Sequence, residues 1–493
     1  MKTTKKIILT TLSVFLLQTN AFSFCGFYVS KADTKLFNKA SQVILVRDGN
    51  KNVVTMSNDF YGDVQDFAMV VPVPTILERD DIQVVDRYIF DKLDTYSGPR
   101  LVEYYDQNPC YMYDQYFGIR KFSEAATMSS MDMIEDEEEI KNYGVTIEAQ
   151  YTVGEYDILL LSAIESSGLK TWLRQNGYQI PSDAEEVLDP YIKSDMKFFV
   201  VKVNLDEQLN SGYDYLRPIQ ISYESNRFML PIRLGMANAD EAQDLIIYAF
   251  TKDGRVETTN YRTTKIPSDK NIPTFVQDNF GQFYADAFDK AYKRNGRNTV
   301  FLEYSWDLSS SNYVKCDPCA TTPPTYAELR DAGVFWTKPN NSNGWGGANY
   351  NGELFITRLH VKYDREHFPQ DLFFQSTPNK EHFQGRYIMN HPVQGHLDCD
   401  QASSYYQMVL DRRENELDEL AYLTGWKMDE YDYYVDTYAK KLERSRKDKK
   451  FNTGSIIPLN KVFQDSKIKS IVLSSLALLL MTSVYFGSVR RMN

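Results

Sequence analysis

The chain has 493 residues, 43% of them hydrophobic and 25% charged, a globular balance with length for two or three folding units of about 150 residues each. A formal net charge of -12 would repel polyphosphate, and no basic run is interleaved with aromatics in the main body, so nucleic acid is not an expected partner. Aromatic content reaches 14%, led by 35 tyrosines, and tyrosine favours strands.

At the N-terminus, Lys2, Lys5 and Lys6 precede an apolar run over 7–17, and Ala21-Phe22-Ser23 offers small residues where a signal peptidase reads them. Residues 1–23 therefore read as an export signal cleaved before Phe24. In chain order there follow an extracytoplasmic α+β region over 24–399 with room for two subdomains, a helical hairpin over 400–447, and a linker over 448–469. Residues 470–489 carry no charge and span about 30 Å as a helix, and Arg490-Arg491 opens a tail, 490–493, that favours the cytoplasm. The expected location is the cell membrane, single pass, with the main domain periplasmic or extracellular.

The first region reads as strands over 42–46, 53–56 and 67–73, with Asp48-Gly49 supplying the positive φ of a tight hairpin. A helical pattern over 82–93 ends before Gly98-Pro99, and 101–105 is strand-like. Residues 128–141 are acidic without periodicity and read as a solvated insertion, with calcium binding as an unsupported alternative. Short apolar runs at 158–161, 198–203 and 245–248 read as buried strands. Leu169, Trp172 and Leu173 share a helical face, Asp253-Gly254 reads as a second hairpin turn, and 280–294 reads as a helix closed by Asn295-Gly296. Strands are expected again over 301–306, 354–363 and 386–389, with an Asn343-Gly-Trp-Gly-Gly347 loop between them. From Asp400 the pattern is helical and broken at Thr424-Gly425, and Met428, Tyr431, Val435, Tyr438 and Leu442 form an apolar stripe. Strands and helices do not alternate strictly, so the expected fold is α+β, with mixed or antiparallel sheets, packed helices, the C-terminal hairpin and a single transmembrane helix. The basic stretch 440–450 reads as a solvated helix end, with anionic headgroups as the alternative contact.

Nucleotide-binding and hydrolase signatures are missing: there is no Gly-x-Ser-x-Gly, phosphate loop, Gly-x-Gly-x-x-Gly or His-Glu-x-x-His. All five histidines, His360, His367, His382, His391 and His396, fall in one segment with Cys399. That clustering leaves open a zinc site built from Cys316, Cys319, His391, His396 and Cys399; the main reading holds no cofactor. Cys316-Asp-Pro-Cys319 superficially matches a redox motif, but Pro323-Pro324 follows too closely for the helix such chemistry needs. Export permits disulfides, which are expected to involve Cys25, Cys110, Cys316 and Cys319. Cys25 is expected to reach Cys110, and Cys316 and Cys319 to bond each other or to send one sulfur to Cys399.

Several stretches together resemble one bacterial family. They are Phe24-Cys-Gly-Phe-Tyr-Val29 with Lys31-Ala-Asp33, Asp66-Phe-Ala-Met-Val-Val-Pro-Val-Pro74, Gly154-Glu-Tyr-Asp157, Asn260-Tyr-Arg262, Cys316-Asp-Pro-Cys319 and Arg358-Leu-His360. They are similar to the exported proteins grouped as a domain of unknown function, number 2330, over a stretch from the signal cleavage site to about Trp426. The resemblance implies export and a recurring cysteine framework, and no catalytic residues. The expected function is a membrane-anchored extracytoplasmic protein that binds or scaffolds another envelope component; the alternative is a zinc-dependent envelope enzyme built on 360–399.

Overall fold

The computed structural model describes residues 27–29, 37–38, 41–57, 60–61, 68–110, 144–176, 184–213, 215–238, 242–310, 321–340 and 349–454. The export signal, Cys25, the acidic stretch 128–141, Cys316, Cys319, the loop 343–347 and the apolar run 470–489 lie outside them. The described residues divide into two units.

In the first unit, which holds the described residues up to Glu103, 144–389 and 423–425, the continuous apolar runs become strands buried on both faces. Along Ser41–Asp48, Val43 and Leu45 enter one core while Ile44 and Val46 enter another. A strand covered on both sides keeps no polar face, so its sequence loses the alternation of a half-exposed strand. Eight strands lie in the spatial order Arg262–Lys265, Thr299–Asp307, Phe355–Tyr363, Gln243–Thr251, Ser41–Asp48, Lys51–Met56, Ile219–Glu224 and Ile82–Val84, and Phe383–Gln384 joins beside Thr299–Asp307. Ser41–Asp48 runs parallel to Gln243–Thr251, and Arg262–Lys265 parallel to Thr299–Asp307, so the sheet is mixed. A five-stranded antiparallel sheet takes Phe27–Val29, Ala68–Val73, Lys197–Val203, Tyr156–Ala163 and Val145–Val153 in that order.

The eight α-helices of the described residues are α1 (Tyr88–Ser97), α2 (Ser166–Gln175), α3 (Ala184–Lys193), α4 (Leu205–Ser211), α5 (Phe280–Arg294), α6 (Tyr326–Asp331), α7 (Ala402–Thr424) and α8 (Asp432–Gly454). The two large sheets share one core, to which Val43, Leu45 and Ile247 contribute from one and Met69, Ile158 and Phe199 from the other. Leu169, Trp172 and Leu173 of α2 and Leu188 of α3 cover the outer face of the five-stranded sheet at Phe198 and Val200. Ile89, Phe90, Leu93 and Tyr96 of α1 and Leu329 of α6 cover the far face of the mixed sheet at Ile44, Val46, Tyr248 and Phe250. The molecule is α+β, and its sheets are layered between helices.

The second unit holds the described residues 104–110, 390–422 and 426–454. Its core gathers Tyr405, Tyr406 and Val409 of α7 with Tyr438 and Leu442 of α8, next to Leu397. Ser403 meets Ser445 at 2.8 Å while Glu416 meets Tyr434, so the two helices run antiparallel.

Four local expectations change. Residues 82–93 are not one helix: Ile82–Val84 pairs with Ile219–Ile221, and α1 starts only at Tyr88, where Asp86 accepts from the backbone N–H. The buried pairing of Ile82 overrides its helical spacing. Asp253-Gly254 closes no hairpin, because Val256–Thr258 pairs with Leu372–Ser376 instead of with Gln243–Thr251. The buried stripe of the last helix is Tyr434, Tyr438 and Leu442; Met428 and Tyr431 drop out because Met428–Tyr431 is a tighter 3-10 turn ahead of α8, and Tyr434 takes the place of Val435. The helix also continues through Gly454, past the expected linker start at 448. Among the described residues no helix is long and apolar enough to cross a membrane.

Cys110 bonds Cys399 across 289 residues of sequence, with Cα atoms 5.6 Å apart, which replaces the expected Cys25–Cys110 pairing. Both cysteines are partly buried and pack against the core of the second unit, with their Cα atoms at bonding range. Replacing Cys399 by Ser is expected to lower the unfolding free energy by about 2–5 kcal/mol, read by denaturant titration of the oxidised chain. An oxidised wild type that alkylates at both Cys110 and Cys399 under denaturing, non-reducing conditions would refute the bond.

Candidate functional site

Polar residues inside strands that are otherwise apolar mark where the first unit concentrates charge. Arg358 and His360 sit two residues apart in Phe355–Tyr363 and so share a face. Across the ladder, Tyr248 is registered with Arg358 on one side and Tyr304 on the other. The register slips between Leu302 and Tyr304, so Glu303 is the extra residue of a bulge. A bulge bends the strand and re-aims the side chain it inserts; here Glu303 reaches both Arg358 and His360.

The contacts are short and mutual. His360 donates from Nδ1 to Glu303 Oε1 at 2.7 Å and from Nε2 to Asp244 at 3.0 Å, and Phe288 of α5 stacks on its ring at 3.6 Å. Arg358 gives Nε to Glu303 Oε2 at 2.6 Å and Nη1 to Asp94 of α1 at 2.7 Å. Tyr284 of α5 donates to Glu303. Tyr248 donates to Asp94 at 3.1 Å and accepts from Gln42 at 3.2 Å. The Glu303 side chain has no exposure, whereas Asp94 is 51% and Asp244 27% exposed, so the chain of charges runs from a sealed centre to two ends in solvent.

These contacts set the protonation states. Burial pushes the Glu303 carboxyl up, but the His360 and Arg358 charges override it and bring it to about 2. Burial pushes the His360 ring down, yet Glu303 and Asp244 raise it to about 9. Burial also opposes the Arg358 charge, and Tyr248, Glu303 and Asp94 hold it well above its ordinary value. At neutral pH the centre is thus a carboxylate between an imidazolium and a guanidinium. An imidazolium with both N–H groups given to carboxylates offers no lone pair to a metal or a proton donor. The geometry therefore fits a clamp that locks α1 and α5 onto the sheet, and it does not fit a general base.

The remaining histidines scatter. His367 bonds Asp364 at 2.8 Å, His382 stacks on Trp306 at 4.2 Å, His391 stacks on Tyr105 at 4.6 Å, and His396 is exposed. Of the set Cys316, Cys319, His391, His396 and Cys399, Cys399 is held in a disulfide and so is no thiolate ligand for zinc, while Cys316 and Cys319 lie outside the described residues. Among the described residues no three His, Cys, Asp or Glu side chains group as metal ligands.

Two other motifs are also pegs in the fold. Glu155, in the turn of Gly154-Glu-Tyr-Asp157, is fully buried and accepts from Arg217 Nη2 at 2.7 Å and from its backbone N–H at 2.8 Å, while Tyr156 donates to the Arg217 carbonyl at 2.6 Å. Gly154 there has φ +57°, and a Cβ would stand 3.1 Å from both Arg217 and Val84. Asn260 and Tyr261 bond the backbone of residues 370, 371 and 373, which closes the turn before Leu372–Ser376.

Sequence reasoning picked out Arg358 and His360 and missed Glu303, Asp94, Asp244, Tyr248 and Tyr284. The available signal was a charged residue inside an apolar run, as at Glu303 in Thr299–Asp307. Replacing Glu303 by Ala is expected to cost about 3–5 kcal/mol, because it strands buried charge on Arg358 and His360. The imidazolium is raised from 6.5, so its contribution is complete below that pH and is lost as pH rises through about 9; Glu303 is depressed from 4.5, so its contribution is lost only as pH falls through about 2. Urea unfolding at pH 6 and 9.5 is expected to show the wild type weakened at the higher pH and His360→Gln nearly unchanged between them. Equal slopes for the two proteins would remove the clamp.

No curated protein and no solved structure matches the chain. One family does, described as uncharacterized protein conserved in bacteria (DUF2330), and its match covers residues 19–375. That span holds Glu303, Arg358, His360, Glu155 and Asn260 and stops short of the α7 and α8 pair. With its matched part including the whole clamp, the chain belongs to this bacterial family, DUF2330.

Proposed function

We propose that the protein is exported, anchored by its C-terminal apolar segment, and acts by binding or scaffolding another component of the bacterial envelope. The observation that carries the binding reading is the clamp itself. Its most reactive side chains, Glu303, Arg358 and His360, direct their short polar contacts at one another and at Asp94 and Asp244, which makes them supports for a surface. The Cys110–Cys399 bond supports an oxidising compartment, where disulfides persist. The basic, apolar and small-residue order of 1–23 supports export, and the charge-free run 470–489 before Arg490-Arg491 supports an anchor with its tail inside.

Protease added to intact spheroplasts is expected to digest the main domain and to spare an epitope placed after Asn493. The membrane fraction should retain the protein through alkaline carbonate washing, and a chain ending at Gly454 should appear folded in the periplasm or medium. A protected main domain, or full release by carbonate, would defeat the proposal.

A further inference from the structure

Glu416 of α7 has no solvent exposure, and its two carboxylate oxygens are served unequally. Tyr434 of α8 donates to Oε2 at 2.6 Å, while Oε1 is buried with no hydrogen-bond partner. The nearest cationic nitrogen, Arg412 Nε, stands 3.6 Å from Oε1 and is itself buried without an acceptor. Arg412 has committed Nη1 and Nη2 to Asp106, at 2.8 and 2.9 Å. Arg413 gives Nη1 to the Tyr434 carbonyl and lies over the rings of Tyr434 and Tyr438 at 3.9 and 4.4 Å. Arg412 thus reaches Glu416 only as a 3.6 Å ion pair through Nε, and neither arginine gives it a hydrogen bond. A buried carboxylate with a single donor is poorly compensated, and a proton on Oε1 removes its charge while leaving the Tyr434 bond in place.

We propose that Glu416 is a proton-binding site through which the α7 and α8 pair responds to pH, tightening when the carboxyl is protonated and loosening when it is ionised. The groups that act on it are Arg412 and Arg413 from α7, Tyr434 from α8, and Asp106 from the segment before Cys110. Burial raises Glu416 to about 7, against the opposing pull of Tyr434, Arg412 and Arg413. Since its ordinary value is 4.5, the stabilisation from protonation is complete below that pH and is lost as pH rises through 7. Asp106 does not interfere. Burial raises it, but its bonds to Arg412 and Tyr405 hold it below 3.8, outside this window. Burial and Asp106 push Tyr405 up, far above the same window.

Hydrogen exchange of the full chain, followed by mass spectrometry from pH 5.5 to 8 and corrected for intrinsic rates, tests the site. Protection of peptides from α7 and α8 is expected to fall at least about tenfold across that range, and to stay flat in Glu416→Gln. A flat wild type, or the same fall in both proteins, overturns the proposal. Should Glu416→Gln fail to fold, infrared difference spectra of the wild type decide: a protonated-carboxyl band that disappears as pH passes through neutrality supports the site, and its absence at pH 6 overturns it.

Discussion

Everything in the first unit depends on keeping one carboxylate ionised where water does not reach. Glu303 can sit at the centre of a mixed sheet only because a guanidinium and an imidazolium each take one of its oxygens, with Tyr284 reinforcing one of them. Bringing such charges out of water costs several kcal/mol each, and attraction in the interior offsets that only with close, saturated geometry. The clamp meets this condition by drawing partners from three strands and two helices. Those elements can be displaced only by exposing a charge to an apolar surround.

This also explains why a bulge appears in an otherwise regular strand. In unbroken register, Leu302 opposite Leu359 would be followed by Glu303 opposite Arg358, and every later residue of Thr299–Asp307 would change face. The extra residue adds the carboxylate while Tyr304, Ser305 and Trp306 stay opposite Arg358, Thr357 and Ile356. The second unit treats its buried carboxyl differently. Glu303 has two cations hydrogen-bonded to it, whereas Glu416 has two arginines nearby that are bonded to Asp106 and to a backbone carbonyl. One carboxyl is held far below its ordinary range and the other is raised to neutrality, which separates a permanent clamp from a titratable contact.

Much of the fold was readable because burial imprints itself on short runs. The segments 43–46, 198–201 and 245–248 are apolar throughout since both of their faces are covered, and Gly98-Pro99 ends α1 as its chemistry requires. Elements at an edge were less legible. Ile82 is spaced like a helical residue and is a strand residue only because Ile219–Ile221 offers it an open edge. At the site, Arg358-Leu-His360 stood out by resemblance, but its partners Asp94, Asp244 and Glu303 come from positions far apart in sequence, and carboxylates are too common for any one to be chosen by type.

By itself, the sequence determined the α+β class, the tracts that form buried strands, the break at Gly425 and the family, because these follow from local composition, backbone preference and short motifs. Only the tertiary structure decided which cysteine bonds Cys110, which carboxylates meet His360, and how far each buried acid is neutralised. Those outcomes depend on distances between residues tens to hundreds of positions apart, and a difference of one or two ångströms separates a hydrogen-bonded ion pair from a charge left without a donor.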